Sequence, residues 1–273
     1  MRILISYCFF GISPNYYAGI EHVAKSLPLL NYKLNSSISI AIVTDQNSLV
    51  FLPCTLRDHQ AIKIFDICDH LHISSMNPRL WRFFILSLAD LADYDAILFR
   101  DSDSTIGECE ILAINEWLIS GFSFSIIRGS RIHLWPIMAG LFSVKRSGYS
   151  LLSSLIFSRL FACLASLPGY RIDQLCLGFL VYPRVLRSSL IHTAYWRYRH
   201  EIWRKLDIND SIFPGQYVIP QEEKNGFPLA SPPFSSSREA SFGSPPLYLS
   251  LLLQCSPIIF YSWYRFAKFF KFC

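Results

Sequence analysis

Short, nearly continuous apolar runs alternate along the chain with longer stretches in which apolar positions recur every three or four residues. The run from Arg2 to Ser6 passes through a loop marked by Gly11 and Pro14 into "IEHVAKSLPLL", whose spacing predicts a helix. "SISIAIVTD" (Ser37 to Asp45) and "AIKIFDI" (Ala61 to Ile67) read as β-branched strands between polar turns. "PRLWRFFILSLADLA" (Pro78 to Ala92) is long enough for a helix, and Ala96 to Phe99 is a further strand. Beyond it, "CEILAINEWLIS" reads as an amphipathic helix, "FSFSII" as a strand and "SGYSLLSSLIFSRLFACLASL" as one long helix. "YRIDQLCLGFLVYP" reads as a helix running into a strand. Strands alternating with helices predict an α/β fold, a mainly parallel, Rossmann-like sheet with helices on both faces and ligands beyond the carboxyl ends of its strands.

The pattern then thins. "QEEKNGFPLASPPFSSSREASFGSPP" (Gln221 to Pro246) is rich in Pro, Ser and Gly and poor in apolar pattern, so residues 216–246 are expected to be a linker between a domain over 1–215 and a tail over 247–273. The tail has no formal charge from Leu247 to Tyr264 and then carries Arg265, Lys268 and Lys271 among aromatic residues. It has the composition of a C-terminal apolar membrane anchor, while Gln254, Ser256 and Pro257 weaken a spanning helix. A helix packed on the main domain is the bland alternative. At the other end, Arg2 before an apolar run has the look of a short secretory segment. Ser6 and Tyr7 interrupt it, and a first strand in a cytoplasmic protein, membrane-associated through its tail, is the expectation.

Composition narrows the class. The 273 residues are 52% hydrophobic and 16% charged, enough for one substantial core. A net charge of +5 is mild and not gathered into one run, so nucleic acid is not an expected partner. The eight cysteines show no C-x-x-C pair and read as reduced thiols.

The candidate chemistry sits in "AILFRDSDSTIGECE", where an apolar strand ends on Asp101 and Asp103. Two carboxylates at i and i+2 repel one another unless a cation lies between them. A hard divalent ion such as Mg²⁺ or Mn²⁺ takes oxygen ligands and shares its remaining sites with water and phosphates, which makes the pair a diphosphate dock. A solvated turn has the same spacing. So does the Asp-x-Asp-x-Thr pattern of haloacid-dehalogenase-like phosphatases, in which Asp101 would be a nucleophile and Asp103 a general acid. Arg100 and the lack of a later Asp-Asp or Gly-Asp pair count against that rival.

More of the chain carries a likeness. Trp81-Arg82-Phe83, Arg100-Asp101-x-Asp103-Ser104, Glu110, Glu116-Trp117, Arg128, His133, Pro136-Ile137-x-x-Gly140, Asp173-Gln174 and Tyr182-Pro183 occur in an order that resembles a family of bacterial and viral glycosyltransferase-like proteins of the GT-A type. The likeness covers roughly the first 200 residues. "SYCFFGISPNYYAG" looks like that family's first nucleotide-side loop. Gly129 to Arg131, Phe142 to Ser143 and Cys109 depart from its pattern, in the region expected to hold donor or acceptor sugar.

The resemblance implies a GT-A-like fold and a metal-dependent transfer of sugar from a nucleotide-diphosphate donor to a glycan or lipid-linked acceptor. A catalytically silent sugar-binding protein of the same fold is the alternative. It implies Asp101 and Asp103 as ligands of Mn²⁺ or Mg²⁺, and Arg82, Arg100, Arg128, His133, Gly140 and Gln174 as substrate-binding residues. Asp173 is the candidate catalytic carboxylate, with a helix N-cap as its other reading. His192 is a guess for a third metal ligand. The basic and aromatic residues from Arg184 to Lys205 are read as a diphosphate or lipid-headgroup surface, or a solvated face.

Overall fold

The computed structural model describes residues 1–11, 15–68, 76–88, 90–130, 133, 135–166, 171–195, 197–198, 200–206 and 214. The expected linker and tail lie outside them, as do Arg131, Trp196 and Arg199.

Among the described residues, eight strands form one sheet. They are β1 (Arg2–Phe9), β2 (Ser37–Thr44), β3 (Ile62–Asp66), β4 (Ala96–Arg100), β5 (Phe124–Arg128), β6 (Leu141–Lys145), β7 (Ser189–Thr193) and β8 (Trp203–Lys205), in the order β3-β2-β1-β4-β6-β5-β7-β8. Every pairing is parallel except the two that β6 makes with β4 and β5. The expected mainly parallel α/β sheet with helices on both faces is therefore what forms.

The apolar strand runs are buried on both sides, as a sheet covered by helices on both faces requires. Ile3, Ile5, Tyr7 and Phe9 pack under the Asn15–Lys33 and Glu108–Ile119 helices. Leu4 and Cys8 face the opposite way. With Ile97, Phe99, Ile126 and Phe142 they meet Leu80 to Leu86 and the helical residues from Leu152 to Val185.

Four local readings change. Pro78 to Ala92 is a 3₁₀ turn, Pro78–Phe84, capped by the Asn77 side chain, followed by the short helix Ile85–Leu88. Its five residues from Leu80 to Phe84 are all buried, so no polar face marks its geometry. The long helix from Ser147 to Leu167 is two helices, Tyr149–Ile156 and Arg159–Ala165, bent by 68° at a break where Ser158 caps the second. The segment read as helix into strand stays helical from Ile172 to Ser188, with a π-helical turn at Leu177–Val181. A continuous apolar run cannot tell a buried strand from a buried helix. Finally, β6, β7 and β8 were not anticipated. No single helix among the described residues is long and apolar enough to cross a membrane.

Candidate active site

Strand alternation decides what β4 presents. Ile97 and Phe99 point to one face of the sheet and Leu98 and Arg100 to the other, so the next residue, Asp101, returns to the Ile97 face. There it meets the 3₁₀ turn, which the Ser6 hydroxyl fastens to β1 by donating to the Arg82 carbonyl (2.7 Å).

Arg82 is 3% exposed. Its Nη1 donates to Asp101 Oδ1 at 2.5 Å and its Nε to the Arg79 carbonyl at 3.1 Å. The Asp101 side chain is 46% exposed. Burial raises its carboxyl, but the charge and hydrogen bond of Arg82, helped by Arg100 and His133, outweigh burial and hold it below the ordinary range. Arg82 is correspondingly raised, its own burial opposed by Cys8 and by the Asp101 and Asp173 carboxylates.

The backbone closes around this carboxylate. Arg100 pairs with Leu141 across the antiparallel β4–β6 ladder, which brings Gly140 opposite Asp101. A Cβ on Gly140 would stand 2.0 Å from Asp101 Oδ2.

Asp103 lies two residues on. Burial, and then the Asp101 charge, push its carboxyl up to about 6, and its buried Oδ1 has no hydrogen-bond partner among the described residues. His133 is 6% exposed, and burial lowers it to about 4 against the pull of Asp101. Its imidazole is neutral at pH 7, with Nδ1 unpartnered among the described residues.

Asp173, in the first turn of Ile172–Cys176, is 5% exposed and accepts from the Gln174 backbone N–H (2.8 Å). Its carboxyl is raised by burial, with Asp101 adding to the rise and Arg82 and Arg79 opposing it. The fold thus couples Arg82, Asp101, Asp103, His133 and Asp173 electrostatically, with Gly140 against Asp101 and Gln174 next to Asp173 in the chain.

Two expected substrate-binding residues are elsewhere. Arg100 projects to the opposite face, where it is 1% exposed, ion-paired to Glu110, and donates to the Thr105 carbonyl (2.6 Å) and Ser104 Oγ (3.3 Å). Adjacent residues of a strand cannot both line one face, so Arg100, expected to bind substrate, instead engages a carboxylate, Glu110, on the face away from Asp101. Arg128 returns to the Asp101 face but is fully buried. It grips Glu201 with both Nη atoms (2.9 and 2.6 Å), donates to the Pro136 carbonyl (3.1 and 2.6 Å) and lies against the rings of Tyr182 and Tyr198. His192 Nε2 meets Glu116 Oε2 (3.1 Å) under the Glu108–Ile119 helix, on the face away from Asp101, so it is not a third ligand there.

The basic stretch after Arg184 is also divided. Arg184 donates to the Leu180 carbonyl, Arg204 to Glu116, and Arg197 lies over the Trp203 ring. Sequence reasoning missed Glu201, which holds Arg128, and Cys8, a buried thiol coupled to Arg82, Asp101 and Asp173. Alternation along β1 places Cys8 on that face; nothing local marks Glu201.

The donor set suits a hard divalent cation in one respect. Asp103 has a buried oxygen with no hydrogen-bond donor among the described residues, next to a second carboxylate, and a cation would satisfy both. No group of three or more His, Cys, Asp or Glu side chains able to hold a metal exists among the described residues. Two carboxylates would leave the remaining sites to water and phosphate, which is how Mg²⁺ is commonly held.

No family model matches the chain, and no curated protein matches it. Solved structures do. A glycosyltransferase involved in the glycosylation of the major capsid of PBCV-1 aligns at 13% identity over 71% of this chain and 83% of its own, with a TM-score of 0.44. Mouse xyloside xylosyltransferase 1 aligns at 12% identity over 76% and 86%, with a TM-score of 0.45. The 4-diphosphocytidyl-2C-methyl-D-erythritol synthase of Anaerococcus prevotii aligns at 10% over 81% and 94%, with a TM-score of 0.44. All three scores are below 0.5, so a functional reading has to rest on the site itself.

Proposed function

We propose that the chain is a GT-A-like glycosyltransferase that moves a sugar from a nucleotide-diphosphate donor to a glycan or lipid-linked acceptor with the help of Mn²⁺ or Mg²⁺. The observation that carries this reading is the pair Asp101 and Asp103 at the carboxyl end of β4, where Asp103 keeps a buried oxygen with no partner among the described residues. Ligands of open parallel sheets bind beyond such strand ends. The ordered motifs from Trp81 to Pro183 point the same way.

Asp101 and Asp103 would hold the cation, which would offset the charge gathering on the departing diphosphate. Arg82 fixes Asp101 and keeps it ionised. His133, neutral at pH 7, would offer a hydrogen bond rather than a charge to the substrate. Asp173 would take the proton of an acceptor hydroxyl, a task that its raised carboxyl suits better than an ordinary aspartate, or hold that hydroxyl in place. A phosphatase reading would need Asp101 as a free nucleophile, whereas the Arg82 guanidinium occupies one of its oxygens.

Residues 247–273 complete the proposal as an anchor that keeps the protein at a membrane surface within the cytoplasm. The deciding experiment is a screen of common nucleotide-sugars with Mn²⁺, following release of the nucleoside diphosphate and repeated with EDTA. Metal-dependent release is expected. Binding of nucleoside diphosphates with no turnover of any donor would favour the silent protein instead.

A further inference from the structure

The five residues from Asp101 to Thr105 carry both proposed metal ligands, and the chain fastens this loop from the face opposite the site. The Ser104 backbone N–H and Oγ both donate to the Asp101 carbonyl (3.2 and 3.0 Å), closing a tight turn. Beneath that turn, Arg100 Nη2 donates to Ser104 Oγ and to the Thr105 carbonyl, while Nη1 is ion-paired to Glu110 of the Glu108–Ile119 helix. The first helix closes the other side. Ile20 N–H donates to the Ser102 carbonyl (3.2 Å), His22 Nδ1 meets Thr105 Oγ1 (2.8 Å), and a Cβ on Gly19 would stand 2.4 Å from the Ser104 backbone.

Arg100 and Glu110 are each 1% exposed, and the pair is incompletely satisfied: Arg100 Nε and Glu110 Oε2 have no hydrogen-bond partner among the described residues. A buried ion pair with loose ends is a poor stabiliser compared with apolar side chains of similar volume. What this pair does that apolar side chains cannot is hold two polar groups of the loop at fixed places.

We propose that Arg100 and Glu110 are a positioning pair, which sets the Asp101–Thr105 loop so that both carboxylates face one cation. This inference rests on the metal-dependent reading above. Its action is indirect: Glu110 fixes the guanidinium, the guanidinium fixes Ser104 and Thr105, and the turn between them fixes Asp101 and Asp103. Partners behind a ligand commonly govern affinity in this way.

The test replaces the whole pair, because removing one partner would leave a buried charge. Arg100→Met/Glu110→Leu is expected to melt cooperatively near the wild-type temperature, since apolar groups refill the space. Amide exchange at Ser102 to Thr105 should become roughly 10-fold faster or more, while β1 and β4 keep their protection. Binding of UDP or GDP with Mn²⁺ should weaken about 10- to 100-fold. A folded double variant with unchanged loop exchange and unchanged binding overturns the proposal. If the double variant does not fold, Ser104→Ala is read instead. It removes the hydroxyl that Arg100 holds, and loop exchange like that of the wild type would then overturn it. Wild-type protein that binds neither nucleotide with Mn²⁺ would defeat the metal-dependent reading, and loop exchange alone would still decide whether the pair positions the loop.

Discussion

Gly140 lies opposite Asp101 at the end of the β4–β6 ladder, so near that a Cβ there would stand 2.0 Å from Asp101 Oδ2 and 2.4 Å from its Cγ. Both partners are held, Gly140 by the strand that begins at Leu141 and Asp101 by Arg82. A methyl group therefore has to displace the carboxylate or the backbone. Gly140→Ala should cost about 1–3 kcal/mol of stability, as overpacking does. It should also weaken Mn²⁺-dependent binding of a nucleoside diphosphate by more than that instability accounts for. Calorimetric titration beside thermal melting checks both, and a variant that binds normally would show that the contact is relaxed without moving Asp101.

Asp103 offers a test in which stability and function move in opposite directions. Its carboxyl titrates at about 6 in the folded protein, against roughly 3.9 for an ordinary aspartate. Between those values the folded state holds the proton that the unfolded state has lost, so stability from this group falls as pH rises from about 4 to 6. Above that window the cost is complete. Asp103→Asn lacks it and should be more stable than the wild type at pH 7.5 by on the order of 1 kcal/mol, partial exposure reducing the full effect. The gain should vanish near pH 4. The same variant should lose metal-dependent nucleotide binding as fully as chelation does. Equal melting temperatures at pH 7.5 would show that the carboxylate is better solvated than its buried oxygen indicates.

How far the sequence shows this site depends on the range of each interaction. Asp101 and Asp103 are legible because an apolar strand run ends on them, and the opposite orientation of Arg100 follows from the same alternation. Glu201 is not legible: it meets Arg128 across 73 residues, in a segment with no periodic pattern. Strands β6 and β7 span five residues each, too few to show a period, and their apolar residues gain meaning only from the neighbours that pair with them. The helical path from Ile172 to Ser188 is hidden for a related reason. Its exposed positions, Phe179, Pro183, Arg184 and Arg187, begin with two apolar residues, so no polar face marks the helix before Arg184.

The Arg128–Glu201 pair predicts a difference between two variants of one cluster. Both side chains are fully buried, and Tyr182 Oη donates to Glu201 Oε1 at 2.5 Å. Glu201→Leu takes from the buried guanidinium the carboxylate that both of its Nη atoms grip, which should cost about 3–5 kcal/mol. Tyr182→Phe removes one hydrogen bond to a carboxylate that Arg128 still neutralises, and should cost about 1–3 kcal/mol. Urea denaturation midpoints at equal slope separate the two. Similar midpoints would mean that water reaches Arg128 when Glu201 is gone.

Asp173 has both a structural and a chemical task available. Its carboxylate accepts from the Gln174 N–H in the first turn of a helix whose preceding residue, Arg171, gives no side-chain cap. It also couples to Asp101 and Arg82, and burial raises its carboxyl as suits a group that accepts a proton in the reaction. Asparagine keeps the acceptor oxygen and loses the basicity. Asp173→Asn should therefore fold at least as stably as the wild type at neutral pH, because it also removes a carboxyl that burial raises, while kcat falls by roughly 10²-fold or more and donor KM barely moves. Asp173→Ala loses the backbone contact as well and should cost a further 1 kcal/mol or so of stability. Melting curves and steady-state kinetics, with any donor that the wild type turns over, give a Tm, a kcat and a donor KM for each variant. Full activity in Asp173→Asn together with a lowered melting temperature in Asp173→Ala alone would leave Asp173 as a helix-turn residue and move the search for the base to the neutral His133.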